Sequence, residues 1–418
     1  MNPIISMLKD DLKLALGCTE PVAIAYACAR AASHARGELS RLHLRLSGNI
    51  IKNVMGVGIP GTPFIGVKYA ALLGYFKGDS EAGLNVLHRV TEEDIEQVRA
   101  LDQLNLITIE VYDGEEKLYI GVEAQADNRV TLIVQRDHDR ITDLIVDGEV
   151  LISTAAGDLA DTTDFSFKLV DIIDFAYDAP LEAIEFLQAG VDLNRRLSET
   201  GQTGFWGLQL GKQIQEDINL GILKKDLLTH VTGGVCSAID ARMSGAQEPA
   251  MTNSGSGNQG IITHLAPYFA ASYLQSNREE LLRSLVLSNA IPIYMKKKLG
   301  KLSALCGVTP ASAGVAAAIV LLQHGSRDEI ELAIKNVLAG ISGMICDGAK
   351  PGCSLKVSSG IANAIHAAAL ALHDRSVQSY EGIIDANLED SIRHFVRLGL
   401  EGMARTDQVI LDTMVKKA

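Results

Sequence analysis

The residue types best suited to chemistry are three cysteines: Cys306 in Leu305-Cys306-Gly307, and the pair that closes Cys346-Asp347-Gly348-Ala349-Lys350-Pro351-Gly352-Cys353. Asp347, Gly348, Pro351 and Gly352 are turn formers, so two thiolates seven positions apart can fold back towards one centre. Thiolates are soft ligands that select zinc or iron–sulfur clusters, and a cubane held by three of them keeps one iron open to substrate. The same three positions also suit small apolar side chains packed among Ala and Gly, and spacing alone does not separate the two readings.

A second constellation, Thr252-Asn253-Ser254-Gly255-Ser256-Gly257-Asn258-Gln259-Gly260, runs directly into the apolar stretch that begins at Ile261. A Gly-rich loop that opens a helix exposes backbone N–H groups at the positive end of the helix dipole, which suits a carboxylate or phosphate. Ser254, Ser256 and Asn258 add side-chain donors, although Gly, Ser and Asn also make ordinary connecting loops. A similar run, Ser47-Gly48-Asn49 followed by Gly56 to Thr62, has Lys52 and Lys68 nearby. Cys18, in Gly17-Cys18-Thr19-Glu20-Pro21, precedes a predicted helix whose dipole favours the thiolate; an isolated cysteine near a helix start is also commonly inert. Cys28 reads as core, Cys236 after Gly233-Gly234 can approach the site, and His264 reads as a proton carrier or as a partner for a backbone carbonyl.

The elements that must position these groups follow from periodicity. Residues 2 to 16 and 21 to 36 read as helices separated by Gly17, with Thr19 as the N-cap of the second. Leu42 to Leu46, Leu106 to Tyr112, Leu118 to Ala126 and Arg129 to Gln135 alternate as strands. After about residue 165 the strand signal fades into long Ala-, Leu- and Ile-rich stretches, several apolar on most faces, which predicts helices inside a bundle. The expected fold is α+β: residues 1–165 carry Cys18 and a small mixed sheet, and residues 166–418 form an all-helical catalytic domain.

Composition narrows the function. A chain of 418 residues, 47% apolar, can bury a large core. A net charge of −13 opposes nucleic-acid backbones, and the short run Lys296-Lys297-Lys298 suits a solvated helix face. No apolar run reaches the roughly 20 residues a membrane span needs, and Met1 to Leu16 lack the pattern of a secretory leader. The expectation is a cytoplasmic protein whose six cysteines are thiols, ligands or catalytic groups rather than disulfides. Ala-rich helices lead us to expect a homodimer.

Taken together, Gly17-Cys18-Thr19-Glu20-Pro21, the Asn253 to Gly260 loop, Cys306 and the Cys346/Cys353 pair resemble the L-cysteine desulfidases and the bacterial proteins grouped with them, relatives of the iron–sulfur L-serine dehydratase alpha chain. The resemblance spans nearly the whole chain. It implies an oxygen-labile [4Fe-4S] cluster held by Cys306, Cys346 and Cys353, whose open iron acts as a Lewis acid, and it makes Cys18 a candidate acid/base. The serine dehydratases space their last two cluster cysteines more widely, and some end in a further Cys, whereas this sequence ends Met414-Val415-Lys416-Lys417-Ala418; both departures point to the desulfidase branch.

The implied reaction is β-elimination from L-cysteine, giving pyruvate, ammonia and hydrogen sulfide. Asn253, Ser254, Gly255, Ser256, Gly257 and Asn258 are the expected substrate-binding residues, with the carboxylate assigned to Ser254 to Asn258. L-Serine, which differs only in its leaving group, is the alternative substrate. A pyridoxal-phosphate lyase would need a Schiff-base lysine, for which Lys356 competes with Lys52, Lys68 and Lys301. A non-catalytic amino-acid sensor and a zinc-dependent hydrolase complete the alternatives, the latter disfavoured because catalytic zinc favours His-rich sets.

Overall fold

A computed structural model describes residues 2–154, 165–300 and 303–416. The expected domain boundary abuts residues 155–164, which, like Lys301, lie outside the described residues.

The alternating segments pair into a sheet. Strands are labelled β1 (Leu14–Leu16), β2 (Arg41–Leu46), β3 (Ile107–Val111), β4 (Tyr119–Gln125), β5 (Arg129–Gln135), β6 (Ile141–Val146), β7 (Glu149–Ser153) and β8 (Pro249–Met251). Six of them form one mixed sheet in the order β3-β2-β4-β5-β6-β7, with β2 and β3 parallel and the remaining pairs antiparallel. Leu42, Leu44 and Leu46 of β2, Ile120, Val122 and Ala124 of β4, and Val130, Leu132 and Val134 of β5 share the buried face. Beneath it packs helix Thr19–Ala32, on which helix Val67–Lys77 lies in turn, and the apolar residues of both complete this core.

The α+β class and all four expected strands are present. Unforeseen were β6 and β7, and helices Gly48–Val54 and Glu92–Asp102. In β6 the core-facing positions are Thr142 and Leu144, so apolar alternation is broken, and β7 is an edge strand with no buried residue. The run expected as a loop at Ser47-Gly48-Asn49 instead caps and begins Gly48–Val54.

The helix expected over 2 to 16 stops early. Helix Pro3–Asp11 ends, and residues 14–16 become β1, antiparallel to β8 with Ala15 opposite Ala250. Leu14 and Leu16 fit strand alternation as well as a helical stripe, and pairing with β8 decides between them. The next helix is capped by Cys18, not Thr19, with no side-chain capping bond. Thr19 is the first helical residue, and Pro21 in the same turn has no N–H for a cap to satisfy.

Beyond residue 165 the elements of the described residues are helices apart from β8. Helix Val308–Leu322 is buried along its whole length among Gly257–Leu274, Arg278–Leu299, Arg327–Ile341 and Cys353–Ala371. Ile4, Met7 and Leu8 of the first helix join this second core. Among the described residues, no helix is long and apolar enough to cross a membrane.

Candidate active site

Two short backbone pairings assemble the site. The β1–β8 ribbon continues as Thr252 N–H donates to Lys13 O at 2.8 Å, which ties the loop after β8 to the start of β1, while Arg242 joins the turn at the other end of β1 to that loop's helix by donating to Gly17 O and to Asn258 Oδ1. On the opposite side, residues 304–306 run antiparallel to 344–346: Cys306 N–H donates to Met344 O at 2.9 Å and Cys346 N–H to Ala304 O at 2.7 Å. That pairing sets Cys306 beside Cys346.

Helix ends then orient the thiols. Cys306 immediately precedes the N-cap of Val308–Leu322, and Cys353 is the first residue of Cys353–Ala371. Both therefore sit at the positive ends of helix dipoles. The turn between Cys346 and Cys353 is held by Asp347, whose carboxylate pairs with Lys350 Nζ at 2.5 Å and with Lys356 Nζ. Lys356 also donates to Ile345 O at 2.8 Å. Gly348 adopts a left-handed φ of +90°, and a Cβ there would run into the Lys52 carbonyl, so the turn lies directly on helix Gly48–Val54.

These surroundings make the thiols unequal. The interaction between Cys306 and Cys346 drives Cys346 below the ordinary thiol range, aided by the Lys52 charge, and drives Cys306 well above it. Burial raises Cys353.

Cys306, Cys346 and Cys353 line one cavity of about 100 Å³ together with Cys18, Glu20, Arg242, Ser256, Gly257 and Asn258. A second cavity, of about 80 Å³, shares Glu20, Asn53, Ser256, Gln259, Gly307 and Cys346 with it, and adds Ser254, Gly255, His138 and Lys296. Both volumes fall below the roughly 300–1,000 Å³ typical of sites for drug-sized ligands, which favours a small metabolite. Among the described residues, no three His, Cys, Asp or Glu side chains converge on a single ion position. A cubane asks less of its ligands, because each thiolate bonds to a different iron.

The loop divides between the two cavities. Ser254 and Gly255 take left-handed φ values of +51° and +74°, and Ser256 caps helix Gly257–Leu274 by accepting from Gln259 N–H at 3.3 Å. Asn253 lines neither cavity. Its amide donates to Asn289 O and Oδ1, both at 3.1 Å, and its Oδ1 accepts from Gln259 Nε2 at 2.7 Å, so it anchors the loop from behind.

Cys18 is buried and donates to Glu20 Oε2 at 3.2 Å. Burial, with the Glu20 charge second, raises its pKa well above the ordinary thiol value, so it rests as a thiol at neutral pH. The expectation that the helix dipole would yield a thiolate is thus outweighed by desolvation. Glu20 also accepts from Thr19 Oγ1 at 3.0 Å and Asn53 Nδ2 at 2.8 Å, and faces His138 Nε2 at 3.9 Å, a charge contact too long for a hydrogen bond. Burial opposes its ionisation, yet His138 and the donors around it hold it at about 2.

Other candidates resolve plainly. Cys28 lies in the sheet-side core, and Cys236 donates to Ser354 O at 3.4 Å without reaching either cavity. His264 is buried, bonded through Nδ1 to Gly260 O at 2.8 Å, and lowered to about 4 by burial, which suits the carbonyl-partner role. Lys356 is held by Asp347, Lys52 by Asp407 at 2.7 Å and Lys68 by Asp102, which leaves these three engaged as Schiff-base candidates.

Glu20, Asn53, His138, Arg242 and Lys296 escaped the sequence analysis as site residues. Glu20 stood within a motif already quoted, and Lys296 within a basic run read as a solvated helix face, which the structure corrects by burying Lys296 at 5% exposure on the second cavity; the others carry no local signal, being buried polar residues whose partners are distant in sequence.

The family model described as the serine dehydratase alpha chain matches residues 81–412, a span that holds the loop and the three cysteines but not Cys18 or Glu20. A UPF0597 protein of Parabacteroides distasonis is 38% identical over 421 residues, covering 99% of this chain and 98% of that protein. Its counterpart in Porphyromonas gingivalis is 39% identical over 426 residues, covering 99% and 98%. A UPF0597 protein of Photobacterium profundum is 39% identical over 422 residues, covering 100% and 99%. By this match over most of its length, the chain belongs to the serine dehydratase alpha chain family.

Proposed function

We propose that the chain is an iron–sulfur-dependent lyase that eliminates the β-substituent of a small amino acid, with L-cysteine the favoured substrate and L-serine the alternative for the same site. The observation that carries this reading is the meeting of Cys306, Cys346, Cys353, Cys18 and the helix-opening loop on one small cavity. Their donor chemistry fits a [4Fe-4S] cluster: three partly buried thiols, two at helix N-termini, with Lys52 and Lys356 supplying positive charge to Cys346. Cys306, Cys346 and Cys353 would hold it. When bound, the cluster supplies a Lewis-acidic iron that eases departure of the β-substituent.

The protein's own groups account for binding and proton transfer. Backbone N–H groups at the start of helix Gly257–Leu274, with Ser254, Ser256 and Asn258, would receive the substrate carboxylate. Cys18 rests as a thiol, so it begins the cycle able to donate. Over one turnover Cys18 gives its proton to the departing β-substituent and takes the proton from Cα, ending as it began. Glu20 acts through Cys18 as a positioning residue, aiming the sulfur by accepting its hydrogen bond. The C–S bond breaks, the Cα–Cβ double bond forms, and the released aminoacrylate tautomerises and hydrolyses to pyruvate and ammonia.

Protein prepared without oxygen should form pyruvate, ammonia and sulfide in equal amounts from L-cysteine, at a higher kcat/KM than pyruvate from L-serine. A higher value for L-serine would reassign the substrate, and no product from either would overturn the reading.

A further inference from the structure

Arg242, in the last turn of helix Leu227–Met243, is 2% exposed yet lines the cavity that carries the three cysteines. Its Nη2 donates to Gly17 O at 2.6 Å and its Nη1 to Asn258 Oδ1 at 2.8 Å, both neutral acceptors. Its Nε is buried without a hydrogen-bond partner, and no carboxylate among the described residues forms an ion pair with it. Glu20, the carboxylate on the same wall, is already engaged by Cys18, Thr19 and Asn53. A guanidinium stays ionised in any protein setting, and a buried charge without a counter-ion is costly. This one lies against Gly257, occupying the space that a Cβ there would fill, at the positive end of an 18-residue helix. Two positive features therefore face one small cavity, and the geometry is that of an anion site.

We infer that Arg242 binds the α-carboxylate of the amino-acid substrate, an assignment that rests on the lyase reading of this cavity. The planar fork of a guanidinium matches a carboxylate and discriminates against its neutral derivatives. Because Arg242 also grips the carbonyl of Gly17, a carboxylate held there presents its Cα towards the neighbouring Cys18. The site should accordingly accept free α-amino acids and reject amides, esters and residues within a peptide chain.

The test uses L-alanine, which has the carboxylate but no leaving group, and L-alaninamide, its neutral twin, titrated calorimetrically into the full-length protein prepared without oxygen. Wild type is expected to bind L-alanine about 10-fold or more tightly than the amide. Arg242→Gln should lose that preference, and Arg242→Lys, which keeps the charge without the fork, should retain part of it. A purely structural role would weaken both ligands alike. Equal binding of the two ligands by wild type, no binding of L-alanine, or an undiminished preference in Arg242→Gln would overturn the assignment. The wild-type comparison decides the matter even where a variant does not fold. Turnover does not enter this readout, so an Arg242-dependent carboxylate preference without pyruvate from L-cysteine or L-serine would sink the lyase reading alone.

Discussion

The Cys18 thiol donates its hydrogen bond to the Glu20 carboxylate two residues along the same helix start, at 3.2 Å and with both residues buried. Each group fixes the other's charge state: the carboxylate helps keep the thiol protonated, and the thiol is one of the donors that keep the carboxylate ionised. A proton is thereby stored at the edge of the cavity that the three proposed ligand cysteines line.

Cys18→Ala removes that proton without touching the proposed ligands. Iron and sulfide content should match wild type, while turnover of L-cysteine falls by about 100-fold or more, the scale of general acid–base catalysis. Full turnover with an intact iron content would show that another group moves the proton.

The Glu20 carboxylate makes stability depend on pH. Its pKa in the folded protein is about 2, against an ordinary 4.5. A depressed folded value stabilises above the ordinary pKa and is lost as pH falls towards the folded one. The urea midpoint should therefore drop between about pH 5 and about pH 2 more steeply in wild type than in Glu20→Gln. Parallel slopes would contradict the ionised, donor-filled environment described for Glu20.

Lys52 and Asp407 join helix Gly48–Val54 to helix Ala404–Val415 through an ion pair of 2.7 Å in which the lysine is 2% exposed. Asp407→Ala leaves the ammonium buried and unpaired, which should cost about 3 kcal/mol in the urea-unfolding free energy. Adding Lys52→Met should recover most of that loss, because the uncompensated charge is then gone. A double variant no more stable than Asp407→Ala would show that packing, not charge, dominates there.

Gly348→Ala tests the turn between two proposed ligands. The left-handed φ and the nearby Lys52 carbonyl both oppose a side chain. The turn must shift, and we expect a loss of about 1–3 kcal/mol together with faster loss of iron in air. Unchanged iron retention would indicate that the turn tolerates movement without disturbing Cys346 and Cys353.

Legibility in the sequence followed locality. Strands β2, β4 and β5 were readable because every core-facing position is apolar, and Val308–Leu322 because it is apolar on every face. β1 was misread because three residues cannot show a period, and its strand state depends on β8 more than 230 residues away. The cysteines and the Gly-rich loop announced themselves by type and spacing, and the structure brings Ser254 to Asn258 to the cavity walls while turning Asn253 away from them. Arg242 and His138 were invisible for a different reason. A charged or polar residue acquires meaning only through burial against distant partners, and Gly17, Asn258 and Glu20 are brought to them by the fold.

The central claim is most directly tested by the iron and acid-labile sulfide content and visible spectrum of protein prepared without oxygen, compared with Cys306→Ala, with pyruvate formation from L-cysteine followed as air is admitted. The account predicts a broad brown absorption with about four iron per chain, bleached by air in step with loss of turnover, and depleted in Cys306→Ala. A colourless, iron-free wild-type protein that forms pyruvate, or a Cys306→Ala protein with its full complement of iron, would contradict it.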